Sequence, residues 1–273
     1  MSAPDDPAAA IGQHFRQALQ GKFDLEPAGK AVNSSNWFVH TGGERRYLLK
    51  HAAPSSVTDF YAAFCKRTPL LPALVGAAGA WRLLEYRAGG PFPGTSAARV
   101  AAARALAQLH LALRSEPGSA PFSQRYLPLS PREMEAARAQ EPAVVAKVPQ
   151  WTAELAALEA TPGLPRGWVH HDFHPGNVLF DNDRVTAILD MDSLGTDYRM
   201  QAVAFAASRF GDADAFVAGY DELDRLGHAE KHRRAAFVRR EALRRVNWIL
   251  REAIAGGAAW RGDLQKHLAA LDA

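Results

Sequence analysis

Val169-His170-His171-Asp172-Phe173-His174-Pro175-Gly176-Asn177-Val178-Leu179-Phe180, with Ile188-Leu189-Asp190-Met191-Asp192 shortly after it, decides how this 273-residue chain reads. The order is H-x-D-x-x-x-x-N, a short hairpin, then D. Asp172 follows the strand-like Gly167–His170 and is placed to take a proton from a hydroxyl. Asn177 offers a neutral oxygen and Asp190 a charged one, the donors a hard cation such as Mg²⁺ takes on nucleotide phosphates. A single Asp or Asn beside Pro175-Gly176 would read as turn chemistry. All of them at this spacing favour phosphoryl transfer, where orienting the nucleophile matters more than strong basicity.

Outward from that stretch, the composition is that of an ordinary globular chain, 48% apolar and 22% charged. A net charge of +3 gives no reason to expect a nucleic-acid partner. The single cysteine, Cys65, excludes an internal disulfide framework and a multi-cysteine metal site, which suits a reducing cytoplasm. Met1–Ala10 lacks the basic start and apolar core of a signal peptide. The most apolar stretch, Leu70–Trp81, is too short for a bilayer and carries Pro72, Gly76 and Gly79. The expectation is a cytoplasmic protein with no membrane segment, as a monomer or homodimer.

The first 90 residues read as strand-rich. Ile11–Gln20 suits a short helix, Pro27–Asn36 a turn-rich polar segment, and Asp59–Arg67 a second helix. Trp37–His40 and Arg45–His51 read as strands joined through Thr41-Gly42-Gly43-Glu44, and Trp81–Arg87 as another. Beyond them Ala97–Arg114 has one apolar face at helical spacing, and Ser130-Pro131-Arg132-Glu133 is a capping-box start. Helix then runs to about Ala160 with interruptions expected near Pro142 and Pro149. Asn177–Phe180 and Arg184–Asp190 form a second hairpin, and helices return from Met200 onward. The outline is α+β: a small β-rich lobe over residues 1–88, a larger mainly helical lobe over 89–273, and nucleotide expected between them.

The central stretch resembles the catalytic loop and metal-binding strand of the aminoglycoside phosphotransferase/choline kinase family, which has a two-lobed protein-kinase-like fold. The family pattern H-G-D-x-H-x-x-N…I-D is matched by His170, Asp172, His174, Asn177 and Asp190. The resemblance implies Asp172 as catalytic base, Asn177 and Asp190 as Mg²⁺ ligands, and His170 as a structural residue of the loop. It also implies that Lys50, in Arg46–Lys50, contacts ATP phosphates. Asn33, Ser34 and Ser35 would belong to the nucleotide-covering loop, and Glu85 and Tyr86 to a hinge whose backbone meets adenine. Leu106-Ala107-Gln108-Leu109-His110 resembles the L-A-x-L-H of the first large helix. The implied activity is transfer of the γ-phosphate of ATP to a hydroxyl of a small molecule: an amino alcohol, amino acid, sugar or antibiotic.

The chain departs from that pattern at three places. His171 stands where the family has Gly, and Asp59 is the nearest acidic residue where the small-lobe helix usually supplies a Glu to the lysine. Ala202-Val203-Ala204 stands in place of D-L-A. These changes motivate a second reading, a catalytically weak nucleotide-binding protein with a sensing or partner role. No Walker loop, protein-kinase G-x-G-x-x-G or D-F-G is present, so a small-molecule acceptor is expected rather than a protein. His170, His171 and His174 raise a zinc reading, but H-H-x-x-H in a loop is not the helical H-E-x-x-H.

Acceptor contacts are expected from His171, His174, Asp192 and Trp248. Asp192 would share the face of Asp190 if the strand continued. From Arg225 to Arg251 there are nine Lys/Arg against two Glu, a bias that argues against a polycationic acceptor if those side chains face inward.

Overall fold

The computed structural model describes residues 6–19, 21–31, 34–52, 58–116, 128–159, 162–256 and 261–272. Nine strands are assigned among them: β1 Phe23–Ala31, β2 Ser34–Thr41, β3 Glu44–Ala52, β4 Leu74–Ala78, β5 Trp81–Glu85, β6 Arg166–His170, β7 Val178–Asp181, β8 Arg184–Ile188 and β9 Leu194–Tyr198. The α-helices are α1 Pro7–Ala10, α2 Arg16–Leu19, α3 Thr58–Phe64, α4 Ser96–Leu113, α5 Pro131–Arg138, α6 Pro142–Glu159, α7 Arg199–Phe210, α8 Ala213–Asp221, α9 His228–His232, α10 Arg234–Ile254 and α11 Arg261–Asp272. A π-helical turn, Ile11–Phe15, joins α1 to α2.

Two compact units result. One comprises Met1–Ala98 with Pro175–Asp192, the other Arg99–His174 with Ser193–Ala273. The segment carrying Asn177, Asp190 and Asp192 thus makes its contacts with the strand-rich part of the chain, and the chain passes from one unit to the other between His174 and Pro175.

In the first unit an antiparallel sheet has the order β1-β2-β3-β5-β4. The Gly42-Gly43 turn between β2 and β3 has positive φ at both glycines, 61° and 82°, as the twist of a tight hairpin requires. Side chains alternate across the sheet. Val39, Leu49, Trp81 and Leu83 turn to one face and form a core with Ile11, Phe15 and Leu19 from the N-terminal helical run. Asn36, Leu48, Lys50, Arg82 and Leu84 turn to the other.

The β7–β8 hairpin, turning at Asn182-Asp183, is fastened to this unit by the backbone. Gly90 and Phe180 exchange two hydrogen bonds, at 2.7 and 2.9 Å, and the Ile188 N–H bonds the Leu70 carbonyl at 2.8 Å. Gly89 allows that approach, because a Cβ there would lie 2.6 Å from Thr186 Oγ1 and 2.7 Å from Leu179 Cβ.

In the second unit β6 pairs antiparallel with β9. Helices α5, α6, α10 and α11 share a core that includes Val145, Trp151, Val246, Leu250 and Leu271.

Some local expectations change. Pro27–Asn36 is not one turn-rich segment: β1 continues through Pro27 to Ala31, with a register shift between Pro27 and Lys30, and β2 begins at Ser34. A proline without an N–H is accommodated at such an irregularity on an edge strand. Pro142 opens α6 and Pro149 lies inside it, so neither breaks the segment as expected. The capping box at Ser130 forms as expected, Ser130 accepting from the Glu133 N–H and the Glu133 carboxylate accepting from the Ser130 N–H.

Gly89→Ala is expected to lower stability by about 1–3 kcal/mol through overpacking against Leu179 and Thr186, read as a lower urea midpoint at unchanged slope.

Candidate active site

The sheet face opposite the first unit's core lines a cavity of about 420 Å³. Strand register arranges it in two transverse rows. Asn36 pairs with Lys50 and Lys50 with Arg82, so one row is polar. Phe38 pairs with Leu48 and Leu48 with Leu84, so the next row is apolar. Glu85 and Tyr86 continue the lining from the end of β5, while Asn177, Leu179, Leu189, Asp190, Met191 and Asp192 supply it from the hairpin segment. A polar group and a flat apolar group of one ligand can each meet its own row.

Lys50 is buried, and an ammonium in that position needs compensation. Its Nζ lies 2.5 Å from Asp190 Oδ1 and 2.8 Å from Asp192 Oδ2. Arg82, also buried, donates to Asp192 Oδ1. Burial pushes the Lys50 ammonium towards neutrality, but the two carboxylates outweigh it and its pKa stands above the ordinary value. Asp190 adopts φ 56°, a left-handed conformation that Asp tolerates better than most residues. The β8 strand ends at Ile188 and Met191–Ser193 is a 3₁₀ turn, so the strand does not continue to Asp192, which reaches Lys50 by a turn.

The oxygen donors suit a hard cation. Asn177 closes the Pro175–Asn177 3₁₀ turn, its carbonyl bonded to the Leu189 N–H at 2.8 Å, and it lines the cavity with Asp190. Mg²⁺ is typically held by one or two carboxylates together with substrate phosphates and water, and Asn177 with Asp190 fits that use. Among the described residues no three His, Cys, Asp or Glu side chains form a metal cage, so the zinc reading finds no donor set.

The hinge is more restricted than sequence suggested. The Glu85 N–H bonds the Ala73 carbonyl and the Tyr86 N–H bonds the Arg46 carbonyl, at 2.8 and 2.9 Å. Both donors are therefore spent within the first unit. Asn33 lies outside the described residues, as do the side chains of Ser34 and Asp59. Ser35 pairs with His51 across β2 and β3.

The loop bearing Asp172 belongs to the second unit. The His171 N–H bonds the Ser193 carbonyl at 3.0 Å, extending the β6–β9 pairing. His170 Nδ1 accepts the Asp172 N–H at 3.1 Å, which makes Nδ1 the unprotonated ring nitrogen. Phe173 is fully buried against His170 and Phe210, while the side chains of Asp172 and His174 on either side keep 25% and 32% exposure.

Asp172 Oδ1 accepts from Arg245 Nη2 at 3.1 Å, and its Oδ2 lies 3.5 Å from His174 Nε2. Burial would raise the Asp172 pKa, but the His174 hydrogen bond and the Arg245 charge prevail and hold it well below the usual carboxylate range. His171 is buried and faces Arg244, whose Nη2 donates to its Nδ1 at 3.4 Å. Burial first and Arg244 second keep this imidazole neutral.

The α10 helix has an unexpected role. Arg244 and Arg245 point into the protein, as do Glu241 and, on β9, Asp197. Asp197 Oδ2 accepts from Arg240 at 3.0 Å and from Arg244 at 3.2 Å. Gln201, one residue before the alanine standing in place of the family aspartate, is buried and bridges Arg240 and Glu241. Arg251 pairs with Glu133, and Trp248 packs on the helical core. Arg240, Arg244 and Arg245 face inward and are paired with Asp197, Glu241 and Asp172, so the count of basic residues along this stretch does not by itself fix acceptor charge. Arg245, Glu241 and Arg82 were missed from sequence, whereas Asn36 falls within Asn33–Trp37, the segment expected to cover the nucleotide. Period-2 alternation on the strands could have flagged Arg82, whereas nothing local marks Arg245, 73 residues from its partner.

The model of the phosphotransferase enzyme family, APH, matches residues 24–238. A homoserine kinase of Gluconobacter oxydans (strain 621H) is 36% identical over 86 residues, 28% of this chain and 27% of its own length, so the chain spans about a quarter of that curated relative. Choline kinase from Cryptosporidium parvum Iowa II superposes with a TM-score of 0.70 at 14% identity, covering 98% of this chain and 95% of its own. A thermostable mutant of the aminoglycoside phosphotransferase APH(4)-Ia, in ternary complex with AMP-PNP and hygromycin B, gives 0.65 at 19% identity, covering 98% and 99%. These likenesses bear out the protein-kinase-like α+β fold expected from sequence. No helix among the described residues is long and apolar enough to cross a membrane.

A neutral folded His171 has a consequence for pH. Unfolded, the imidazole takes a proton near pH 6.5, so below that the unfolded state binds more protons. The stability this residue contributes is present above about pH 6.5 and is lost as pH falls below it. Urea midpoints between pH 8 and 5 are expected to fall less steeply for His171→Asn than for the natural chain.

Proposed function

The chain belongs to the phosphotransferase enzyme family, and from that premise we propose that it transfers the γ-phosphoryl group of ATP to a hydroxyl of a small molecule. The observation that carries this reading is the cavity of the first unit, where Lys50, Asn177 and Asp190 meet beside an apolar row. Lys50 binds the phosphates, and the Phe38, Leu48 and Leu84 row faces the base. Asn177 and Asp190 hold Mg²⁺, which when bound neutralises phosphate charge. Lys50 now shares Asp190 with that role, and Asp192 is the carboxylate that keeps it compensated.

Asp172 acts on the acceptor. The hydroxyl oxygen attacks the γ-phosphorus, its proton passes to the Asp172 carboxylate, and the bond to the β–γ bridging oxygen breaks with its electron pair leaving on ADP. A carboxylate held this far below its usual pKa is a weak base. That suffices for a loose transition state in which the proton moves late. His174 stands beside Asp172 on the acceptor side.

For the acceptor, a neutral, sugar-like or amino-acid-like metabolite is favoured over a polycationic antibiotic. Asp172, Asp197 and Glu241 are each already engaged by arginine, which leaves little for several ammonium groups to bind. A homoserine-like amino acid is one such acceptor, its ammonium offset by its own carboxylate and two carbons removed from the hydroxyl-bearing carbon, in keeping with the name of the similar relative.

A nucleotide-consumption screen over hydroxylated metabolites tests the proposal. Asp172→Asn is expected to lower turnover by about 10²–10⁴-fold while nucleotide binding persists. Undiminished turnover in that variant would overturn the role of Asp172, and ATP binding without turnover in the natural chain would point to the sensing alternative.

A further inference from the structure

One row of charges in the second unit is not accounted for by donor binding. It begins at the proposed base and runs along α10: Asp172 to Arg245 at 3.1 Å, Arg245 to Glu241 at 2.9 Å, Glu241 to Arg244 at 3.3 Å, Arg244 to Asp197 at 3.2 Å, and Asp197 to Arg240 at 3.0 Å. Carboxylates and guanidiniums alternate and their formal charges cancel. Every member but Asp172 and Arg240 is buried by residue, and Asp172 is the end of the row most open to solvent, its side chain 25% exposed. Arg245 is gripped on three sides. Its Nε donates to Glu241, its Nη2 donates to Asp172, and its guanidinium carbon stands 4.8 Å from the centre of the Phe205 ring. Arg245 also lies beyond residues 24–238, where the family pattern ends.

We propose that Arg245 is the positioning residue for Asp172 and sets the charge preference of the acceptor subsite, so that hydroxyls without a neighbouring ammonium are selected. The inference rests on the phosphotransfer reading and adds the acceptor class to it. The geometry supports it in two ways. A planar guanidinium fixed by Glu241 and Phe205 holds Oδ1 in one place, which leaves Oδ2, on the His174 side, to meet the acceptor hydroxyl. The same guanidinium stands 3.1 Å from Oδ1 and offsets the carboxylate charge, so an ammonium drawn towards Asp172 meets an opposing repulsion from Arg245. A neutral hydroxyl meets no such opposition. With 9% of its side chain exposed, Arg245 acts through Asp172 and is not itself a substrate-binding group.

The test compares Arg245→Met, Arg245→Lys and the double variant Glu241→Gln/Arg245→Met, the last removing both buried charges so that folding is not lost to a Glu241 left with only Arg244 and Gln201 as partners. The Asp172 carboxyl is followed by ¹³C NMR in aspartate-labelled protein, assigned by its loss in Asp172→Asn. Groups that face it are His174 and His170 from its own loop and Arg245 from α10, with Glu241 behind Arg245. Both methionine-containing variants are expected to raise its protonation midpoint towards the ordinary carboxylate range of about 4, while Arg245→Lys keeps it low. Steady-state rates are taken with two matched acceptor pairs, glycerol with 2-amino-1,3-propanediol and glucose with glucosamine. For Arg245→Met we expect kcat about 10–100-fold lower, KM for ATP within about twofold, and the preference for the neutral member reduced by about tenfold.

An active natural chain whose Arg245→Met and double variants keep the Asp172 midpoint, kcat and acceptor preference would overturn the role of Arg245 and leave the kinase reading standing. A natural chain that consumes no nucleotide with any acceptor, while the Asp172 midpoint still rises in the variants, would overturn the kinase reading and uphold the hold of Arg245 on Asp172.

Discussion

A lysine cannot remain charged inside a protein without a carboxylate beside it, and Lys50 has two. Their positions organise the first unit. Asp190 and Asp192 come from a segment some 140 residues away, so the ion pairs bind the hairpin and its following turn to the central strand of the sheet. The cavity exists because those turns stand over one face of β2, β3 and β5 while the opposite face is sealed by the N-terminal helical run. Strand register then does the chemical sorting, placing Asn36, Lys50 and Arg82 in one line and Phe38, Leu48 and Leu84 in the next. A nucleotide, with phosphates at one end and a flat base at the other, is the ligand such a face suits.

The second unit solves a different problem by the same means. Asp172 must stay ionised although burial works against it, and Arg245 with His174 supplies the compensation. The loop bearing Asp172 is held from beneath by Phe173, from the side by the His171–Ser193 backbone bond, and from α10 by the arginine row. The family aspartate expected at position 202 is absent, yet the polar ties beneath the loop are not. Asp197 and Gln201 provide them, with Arg240, Arg244 and Glu241 as partners. A missing motif residue is therefore a poor measure of a degenerate site when neighbouring positions carry the same hydrogen-bonding capacity.

Much of this was legible from local sequence. The spacing of Asp172, Asn177 and Asp190 reports chemistry because the loop and hairpin that carry them are short, leaving few ways to arrange them. The Gly42-Gly43 turn and the Ser130 capping box are equally local. The β1 strand was hidden because Pro27 and Gly29 look like turn residues until an antiparallel neighbour engages the backbone on either side of them. The β4 and β9 strands were hidden because Leu74-Val75-Gly76-Ala77-Ala78 and Leu194-Gly195-Thr196-Asp197-Tyr198 are rich in Gly, Ala and Asp, residues that strands disfavour. Pro149 looked like a breaker, and tertiary packing of α6 overrides that local preference. The partners of Lys50 and Asp172 were beyond reach for another reason. An ion pair between residues 73 or 140 apart leaves no trace in local pattern, and an arginine-rich helix looks the same whether its charges are solvated or buried.

The central claim is that the γ-phosphoryl group of ATP ends on the hydroxyl of a small molecule. It is tested most directly by ³¹P NMR of ATP, Mg²⁺ and the protein with pooled hydroxylated metabolites. Growth of a phosphate monoester resonance in step with ADP, absent when the metabolites are left out, is the predicted result. Release of inorganic phosphate alone, or no change in ATP under conditions where it binds, would contradict the account.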